Sequence, residues 1–248
     1  MREYVIHPLV VGANETDQGI MTYLKGYGKR IWIPIYVFYL EGGPERILVD
    51  TGLEQFMVPP AVGEQYGFKV QEFEEALDTF GLNPEDIDII IHTHLHNDHC
   101  ENDYKCTNAR VYVQKREYEF FQNPHPVDHR YFPDLLEGVN VVLLDGDAEI
   151  VEGVQVLLTP GHTVGGQSVV VHTRKGKAVI TGFCCNEQNF PASGPPGSTS
   201  TSSTPMRAPG GFKRWRIFLS PCTIWRWAGS GASRHNRERR NLNVRFYQ

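Results

Sequence analysis

The amino-acid sequence predicts a layered α/β or α+β domain with much sheet over residues 1–192. Short runs rich in Val, Ile, Tyr and Phe recur along this region and are typical of strands. Turn sequences containing glycine or proline separate several of these runs. A segment with an apolar helical stripe lies among them. These three features favour alternating strands and short helices.

The first strands and the first helix follow from local patterns. Residues 31–40, IWIPIYVFYL, and residues 45–52, ERILVDTG, are predicted to form a hairpin across the turn Gly42-Gly43-Pro44. Residues 70–81 predict a helix, because their apolar side chains form one stripe and the final glycine suits a helix end. Further strands are predicted over residues 86–91, 110–114, 139–144, 154–160, 167–173 and 177–182.

Length and composition bound the class of protein. A chain of 248 residues with 40% hydrophobic residues can bury a substantial core. No stretch reaches the ~20 consecutive apolar residues of a membrane-spanning helix, and the N-terminus does not resemble a secretory signal. Five cysteines at irregular spacing do not form a disulfide framework. We therefore predict a cytoplasmic protein without a membrane span.

A boundary is predicted near residue 193. Residues 1–192 contain 28 acidic and 14 basic side chains, whereas residues 193–248 contain one acidic and ten basic side chains. The segment that opens this tail, SGPPGSTSTSSTPMRAPGG, is of low complexity and has no apolar period. The sequence therefore predicts one domain over residues 1–192 and a basic tail, disordered or aberrant, over residues 193–248.

The segment HTHLHNDH, residues 92–99, concentrates metal-binding residue types directly after an apolar strand. His94 and His96 are two residues apart, so on an extended backbone they point the same way. A turn after them would bring Asp98 and His99 alongside. Imidazole nitrogens and a carboxylate that converge from one loop suit zinc or a similar divalent ion. His92 precedes the motif and is predicted to be a strand or supporting residue, not a ligand.

This segment resembles the HxHxDH signature of the metallo-β-lactamase-fold hydrolases. Two other segments agree with that family in the same order, LVDTG at residues 48–52 and TPGHT at residues 159–163. The predicted helix and the acidic turn before the histidines also agree. The similarity extends over about residues 30–185. It implies an αββα sandwich in which strand-end loops hold metal ions at one edge.

The resemblance also implies roles for individual residues. A first metal ion would be bound by His94, His96 and His162. A second would be bound by Asp98 and His99, while Asp50 would support the metal-binding histidines from behind. The metal would lower the pKa of a bound water to about 7 and polarise the substrate carbonyl. Asp98 would orient that water or carry its proton, so it is the candidate catalytic residue.

Two departures from the family pattern concern the second metal ion. Phe183 stands where the family places a bridging aspartate, and a phenyl ring cannot bind a metal. The adjacent Cys184 is an alternative ligand, although two cysteines that act as small buried apolar residues are the simpler interpretation. His235 is the sole candidate for the family's final histidine, and its surroundings do not resemble a strand end. We therefore predict one firmly held zinc ion and a weak second site, with iron or manganese as alternative metals.

A closer resemblance within the family implies the substrate. His162 follows His99 by 63 residues, and this spacing, with the segment TPGHTVGGQSVVV, resembles the N-acyl homoserine lactone lactonase branch. That resemblance implies that a metal-activated water opens a small-molecule lactone or a related ester, an activity associated with quorum quenching. Two alternatives stay open, a thioesterase of the glyoxalase II type and a metal-binding pseudoenzyme with an impaired second site. No nucleic-acid partner is expected for the main domain.

The tail after residue 193 does not resemble an end of this family. Charge, apolar periodicity and family resemblance all change within a few residues, which favours out-of-frame or otherwise aberrant sequence. The alternative is a tail that binds nucleic acid or a membrane surface, because FKRWRIFL and TIWRW interleave aromatic and arginine residues. Resequencing the gene around the codon for residue 193 tests the first hypothesis, and an intact frame in independent clones would contradict it.

Overall fold

The structure is a computed structural model that describes residues 1–22, 25–56 and 58–182, together with the backbone of residues 216–218. Two sheets form its centre. The first sheet has its six strands in chain order: β1 Val5–Asp17, β2 Arg30–Glu41, β3 Ile47–Val49, β4 Ile89–Ile91, β5 Arg110–Gln114 and β6 Val141–Leu144. The second sheet has the order β11-β10-β9-β8-β7, with β7 Ala148–Val151, β8 Val154–Leu158, β9 Gln167–Thr173, β10 Gly176–Ile180 and β11 Arg216–Phe218.

The described helices are short and connect the strands. The α-helices are α1 Gln18–Met21, α2 Pro60–Tyr66, α3 Phe73–Asp78, α4 Asn97–Cys100 and α5 Lys115–Gln122. Three 3₁₀ helices span Pro84–Asp86, Asp103–Lys105 and Pro133–Leu136. Within the described residues, no helix is long and apolar enough to cross a membrane.

The first sheet is buried on both faces, which explains the unbroken apolar run of β2. Successive side chains of a strand point to opposite faces. Phe38 and Leu40 therefore enter the core between the two sheets, whereas Val37 and Tyr39 pack on the side of α3. The second sheet contributes its own inward side chains to the shared core: Val154, Val156, Val169, Val171 and Ile180. This arrangement of helix, sheet and sheet confirms the predicted fold class.

The parallel pairing of β3 and β4 brings the residues after both strands to one edge of the first sheet. Strand β3 pairs in parallel with β4, with Val49 opposite Ile91. The residues that follow, Asp50 and His92, therefore leave neighbouring strands at the same edge of the sheet. The second sheet reaches this edge through a hydrogen bond of 2.8 Å from the backbone N–H of Gln167, at the start of β9, to the carbonyl of Thr93.

The predicted hairpin of residues 31–40 and 45–52 is confirmed, because β2 pairs antiparallel with β3. Several other elements are shorter than predicted, among them β6, β8 and β10, and for two more the structure shows a local cause. Helix α3 begins at Phe73 and not at residue 70, since the backbone N–H of Gln71 donates to the carbonyl of Val10 and keeps this segment extended against β1. Strand β4 begins at residue 89, because the Asp86 carboxylate accepts a hydrogen bond from the backbone N–H of Asn83 and closes a 3₁₀ turn.

Candidate metal centre

Three predicted metal-binding histidines meet at the common edge of the two sheets. His94 and His96 lie on the extended segment between β4 and α4, and His162 lies on the turn between β8 and β9. One ring nitrogen from each lies within 4.8 Å of the other two. Four-coordinate zinc with Zn–N bonds of about 2.05 Å places its nitrogens about 3.3 Å apart, so the nitrogens of the cluster would approach one another by up to about 1.5 Å on binding zinc.

Two of these histidines, His94 and His96, each have a ring nitrogen that suits metal binding. The Nε2 atoms of His94 and His96 are buried and have no hydrogen-bond partner among the described residues. A buried polar atom without a partner costs about 1–3 kcal/mol. The other ring nitrogen of His94, Nδ1, lies 3.0 Å from the hydroxyl of Thr93, which fixes the ring with Nε2 toward the cluster. The donor set therefore fits a divalent ion that prefers imidazole ligands.

The imidazole rings of His94, His96 and His162 are favoured in their neutral form. Burial, and then the charges of the neighbouring histidines, lower the pKa of both His94 and His96 well below the ordinary histidine value. The same causes lower the pKa of His162 to about 4. At neutral pH these side chains therefore offer the lone pairs that metal binding requires.

The second predicted pair of ligands lies directly beside the first three. The Nε2 atom of His99 is 3.7 Å from Oδ1 of Asp98, and the His99 ring centroid is 4.0 Å from that of His94. The other carboxylate oxygen of Asp98 lies 3.5 Å from the amide nitrogen of Asn14. One nitrogen and one carboxylate oxygen are thus available for a second ion next to the first.

Asp50 lies behind the metal-binding loop and accepts several hydrogen bonds there. Its carboxylate accepts from the backbone N–H of Thr93 at 2.7 Å, from the Thr93 hydroxyl at 2.8 Å and from Nδ1 of His99 at 2.7 Å, and it lies 3.4 Å from Nδ1 of His92. Burial alone would raise its pKa, but the charge and hydrogen bonds of His99 and His92 outweigh burial and lower the pKa to about 2. The φ angle of Asp50 is 61°, in the left-handed region.

His92 extends this network into the protein interior. It is fully buried, and its Nε2 lies 2.6 Å from the carboxylate of Asp103, which also accepts a hydrogen bond of 2.7 Å from the hydroxyl of Thr51. Burial would lower the pKa of His92, but the Asp103 carboxylate outweighs it and raises the pKa to about 10. The prediction that His92 supports the site without binding metal agrees with this position, because both ring nitrogens face carboxylates.

A polar loop closes one side of the centre. Within the segment PHPVDHRYF, residues 124–132, the carboxylate of Asp128 lies 3.9 Å from Nε2 of His96 and is held by Arg130 at 2.8 Å. The ring of Tyr131 packs edge-on against His96, with centroids 4.8 Å apart. A cleft of about 400 Å³ lies between this loop and the turn that carries His162.

The sequence profile of the Metallo-beta-lactamase superfamily matches residues 30–182, which include all five candidate ligands. The chain belongs to this superfamily. The match confirms the resemblance inferred from the histidine, LVDTG and TPGHT motifs.

Several members of the superfamily are similar over much of this chain. An N-acyl homoserine lactonase of a Bacillus species is 34% identical over 164 residues, and one of Bacillus thuringiensis is 33% identical over 166 residues. Each alignment covers 62% of this chain and 64% of the relative, so the chain spans less than two thirds of the length of these curated relatives. A solved N-acyl homoserine lactone hydrolase with N-hexanoyl-L-homoserine at its catalytic metal centre superposes with a TM-score of 0.62 and 26% identity, covering 77% of this chain and 79% of that one.

Three residues that bear on the superfamily's second metal ion lie outside the described residues. They are Phe183, Cys184 and His235. The proposed boundary at residue 193 also falls there. Their roles, and the predicted nature of the tail, therefore stay predictions.

Three supporting residues were not predicted from the sequence: Asp103, Glu117 and Tyr131. Each is buried, and the tertiary fold brings each of them next to the loops that carry the candidate ligands. A local signal was present for one of them, since an acidic residue at position 103 follows the metal motif by a few residues. Nothing in the local sequence around the other two indicates their contacts.

Proposed function

We propose that this protein is a metal-dependent hydrolase that opens a lactone of the N-acyl homoserine type, or hydrolyses a related ester. The observation that carries the proposal is the cluster of His94, His96 and His162 beside an open cleft. Among the described residues, the buried Nε2 atoms of His94 and His96 have no hydrogen-bond partner. Similarity to lactonases supports the choice of substrate.

Zinc is the metal that we propose, because three neutral imidazoles are a common zinc ligand set. Iron and manganese are the alternatives that the same site would accept. When bound, the ion supplies a nucleophilic water at neutral pH and polarises the substrate carbonyl.

Asp98 is the proposed catalytic residue. Its side chain is 19% exposed and projects beside His99, so it can reach both solvent and the cluster. Hydrolysis of an ester adds hydroxide to the carbonyl carbon, breaks the bond to the alkoxy oxygen and transfers a proton to that oxygen. A carboxylate at this position can orient the attacking water, accept its proton and deliver it to the leaving oxygen.

The neighbouring cleft suits a small amphiphilic substrate. Its lining combines apolar, aromatic and charged groups, among them Phe120, Tyr131, Arg116 and Asp128. The aromatic side chains can contact an acyl chain, and the polar groups can contact an amide or a carboxylate product. A volume of about 400 Å³ accommodates a ligand of this size.

A combined metal analysis and turnover screen tests the proposal. The full chain is purified without added metal, analysed for bound ions and assayed with N-hexanoyl homoserine lactone, a simple aryl ester and a glutathione thioester. Bound zinc with preferential lactone opening supports the proposal. Preferential thioester cleavage would favour a glyoxalase II-type activity, and bound metal without turnover of any substrate would favour a pseudoenzyme. A protein without bound metal even after zinc is added would contradict the site itself.

The domain limits and the location of the protein also stay proposals. We propose that residues 1–192 form the hydrolase domain and that residues 193–248 are a separate tail. A cytoplasmic location agrees with the two free, buried cysteines of the described region, Cys100 and Cys106. Cell fractionation tests the location, and truncation after residue 192 tests whether metal binding needs the tail.

A further inference from the structure

We propose that Glu117 is a positioning residue that fixes the two metal-binding loops relative to each other. It lies in the first turn of α5, is fully buried and contacts none of the five proposed ligands through its hydrogen bonds. The inference rests on the proposed metal site and adds to it a residue that controls its geometry.

The Glu117 carboxylate accepts hydrogen bonds from both loops. Its Oε1 accepts from the backbone N–H of Leu95 at 3.1 Å, and Leu95 is the residue between His94 and His96. Its Oε2 accepts from the backbone N–H of Gly165 at 2.9 Å, three residues after His162. One carboxylate therefore links two loops. It binds the backbone between His94 and His96 in one loop and the backbone near His162 in the other.

A third hydrogen bond extends this link to the aromatic wall of the site. The hydroxyl of Tyr131 donates to Oε1 of Glu117 at 3.0 Å. The same tyrosine ring packs edge-on against the His96 imidazole. Glu117 thereby fixes His96 twice, through the backbone of the adjacent residue and through the ring that packs against it.

The packing around Gly165 is independent support for this link. A Cβ atom built on Gly165 would lie 2.7 Å from the Cβ atom of Glu117, closer than side-chain carbons approach in proteins. Only glycine lets the His162 loop lie this close to the start of α5. The His162 loop therefore packs closely against Glu117 and is also joined to it by a hydrogen bond.

The burial of Glu117 makes its three hydrogen-bond donors necessary. Among the residues that the structure describes, no lysine, arginine or histidine forms an ion pair with it. A buried carboxylate without a cation is costly unless several hydrogen bonds satisfy it. The two loops and Tyr131 supply those bonds, so each loop is in its position partly because the carboxylate holds it there.

The test is the zinc affinity of Glu117→Gln in the full chain, measured by competition with a chromophoric chelator. Glutamine keeps the shape but has one acceptor oxygen in place of two, so at least one backbone N–H loses its partner. Zinc should bind about 10- to 100-fold more weakly than to the wild type, as for other residues that orient metal ligands. The absorption spectrum of bound Co²⁺ should also change, which a loss of general stability would not cause. Glu119→Gln is the matched control, because this glutamate lies on the same helix with its side chain 61% exposed.

The outcomes separate this inference from the proposed function. Unchanged zinc affinity and an unchanged Co²⁺ spectrum in Glu117→Gln, with metal bound normally by the wild type, would overturn the positioning role and leave the proposed function intact. Weaker zinc binding in the variant, with no lactone opening by the wild type, would support the positioning role and contradict the substrate. A wild-type protein that binds no metal would overturn both. Should Glu117→Gln not fold, Tyr131→Phe decides, because it removes one donor only. A several-fold loss of zinc affinity in that variant supports the proposal, and no loss overturns it.

Discussion

The two halves of the candidate metal centre differ in how many parts of the chain build them. The first half takes its three histidines from two loops, and their nitrogens already lie within 4.8 Å of one another. The second half, within the described residues, consists of Asp98 and His99 on a single turn. The first half therefore groups three candidate ligands, whereas the second half has two candidate ligands and one strong support behind them. This difference predicts that the two halves fill at different metal concentrations.

The largest effect is expected from His96→Ala. Two remaining imidazoles rarely hold zinc tightly, so both stoichiometric metal and hydrolysis should be lost. Elemental analysis and a lactone assay measure the two losses. His7→Ala is the control, because the contacts of that histidine are with Glu41, Tyr39 and Phe80 and not with the candidate ligands. Metal retained at wild-type stoichiometry in His96→Ala would show that the site is elsewhere.

The next effect concerns the number of ions. Protein purified without added metal should contain about one tightly held ion per chain, and a second should bind only in excess zinc, because two protein ligands plus water hold a divalent ion weakly. Elemental analysis after dialysis measures this number. Two tightly retained ions would contradict the prediction. Loss of one of them in Cys184→Ser would identify that thiolate as the additional ligand.

Asp50→Asn should weaken the second half more than the first. The carboxylate of Asp50 faces four donor groups from His92, Thr93 and His99, whereas an amide offers a single acceptor oxygen. Affinity for the second ion, and activity in excess zinc, should fall by about 10- to 100-fold. Zinc titration followed by activity measures both. Asp88→Asn is the control at an exposed carboxylate, and an equal response of both variants would show that Asp50 does not support His99 specifically.

The smallest effect on the centre is expected from Asp103→Asn. The Asp103 carboxylate accepts from His92 and Thr51, and the substitution leaves one of these buried donors without an acceptor. The free energy of unfolding should fall by about 1–3 kcal/mol, with affinity for the first ion almost unchanged. Urea unfolding of the metal-free protein and zinc competition measure the two quantities. We expect the contacts of Asp103 with His92 and Thr51 to stabilise the fold more than they affect the histidine cluster. Unchanged stability, or loss of the first ion, would contradict this expectation.

Much of the fold, and the clustering of the candidate ligands, could be predicted from local sequence. Residues 110–114 and 167–173 became strands with the predicted bounds, because their apolar β-branched side chains lie in the sheets. The spacing within residues 94–99 was sufficient to predict a cluster, since an extended segment followed by a turn brings these side chains together.

The remaining features depend on contacts between distant parts of the chain. Strand β1 was not predicted, and its long pairing with β2 is interrupted between Val10 and Ala13, where Gly12 has a φ of 108°. The supporting role of Glu117 arises because α5 brings it against loops 22 and 48 residues away in sequence. Sequence patterns report local periodicity, whereas such hydrogen bonds exist only once the sheets have formed.

The left-handed backbone at Asp50 has a consequence for the substitutions that this position can tolerate. A φ of 61° is costly for most side chains with a Cβ atom and least costly for glycine, asparagine and aspartate. Glycine would relieve the backbone but leave the buried donors around it without acceptors. Lengthening the side chain to glutamate would keep the charge but place it on a backbone that glutamate disfavours. The backbone angle and the buried donors therefore both restrict this position. A library randomised at codon 50 should return aspartate in the fully active clones, and asparagine only in clones that are about 10- to 100-fold less active in excess zinc.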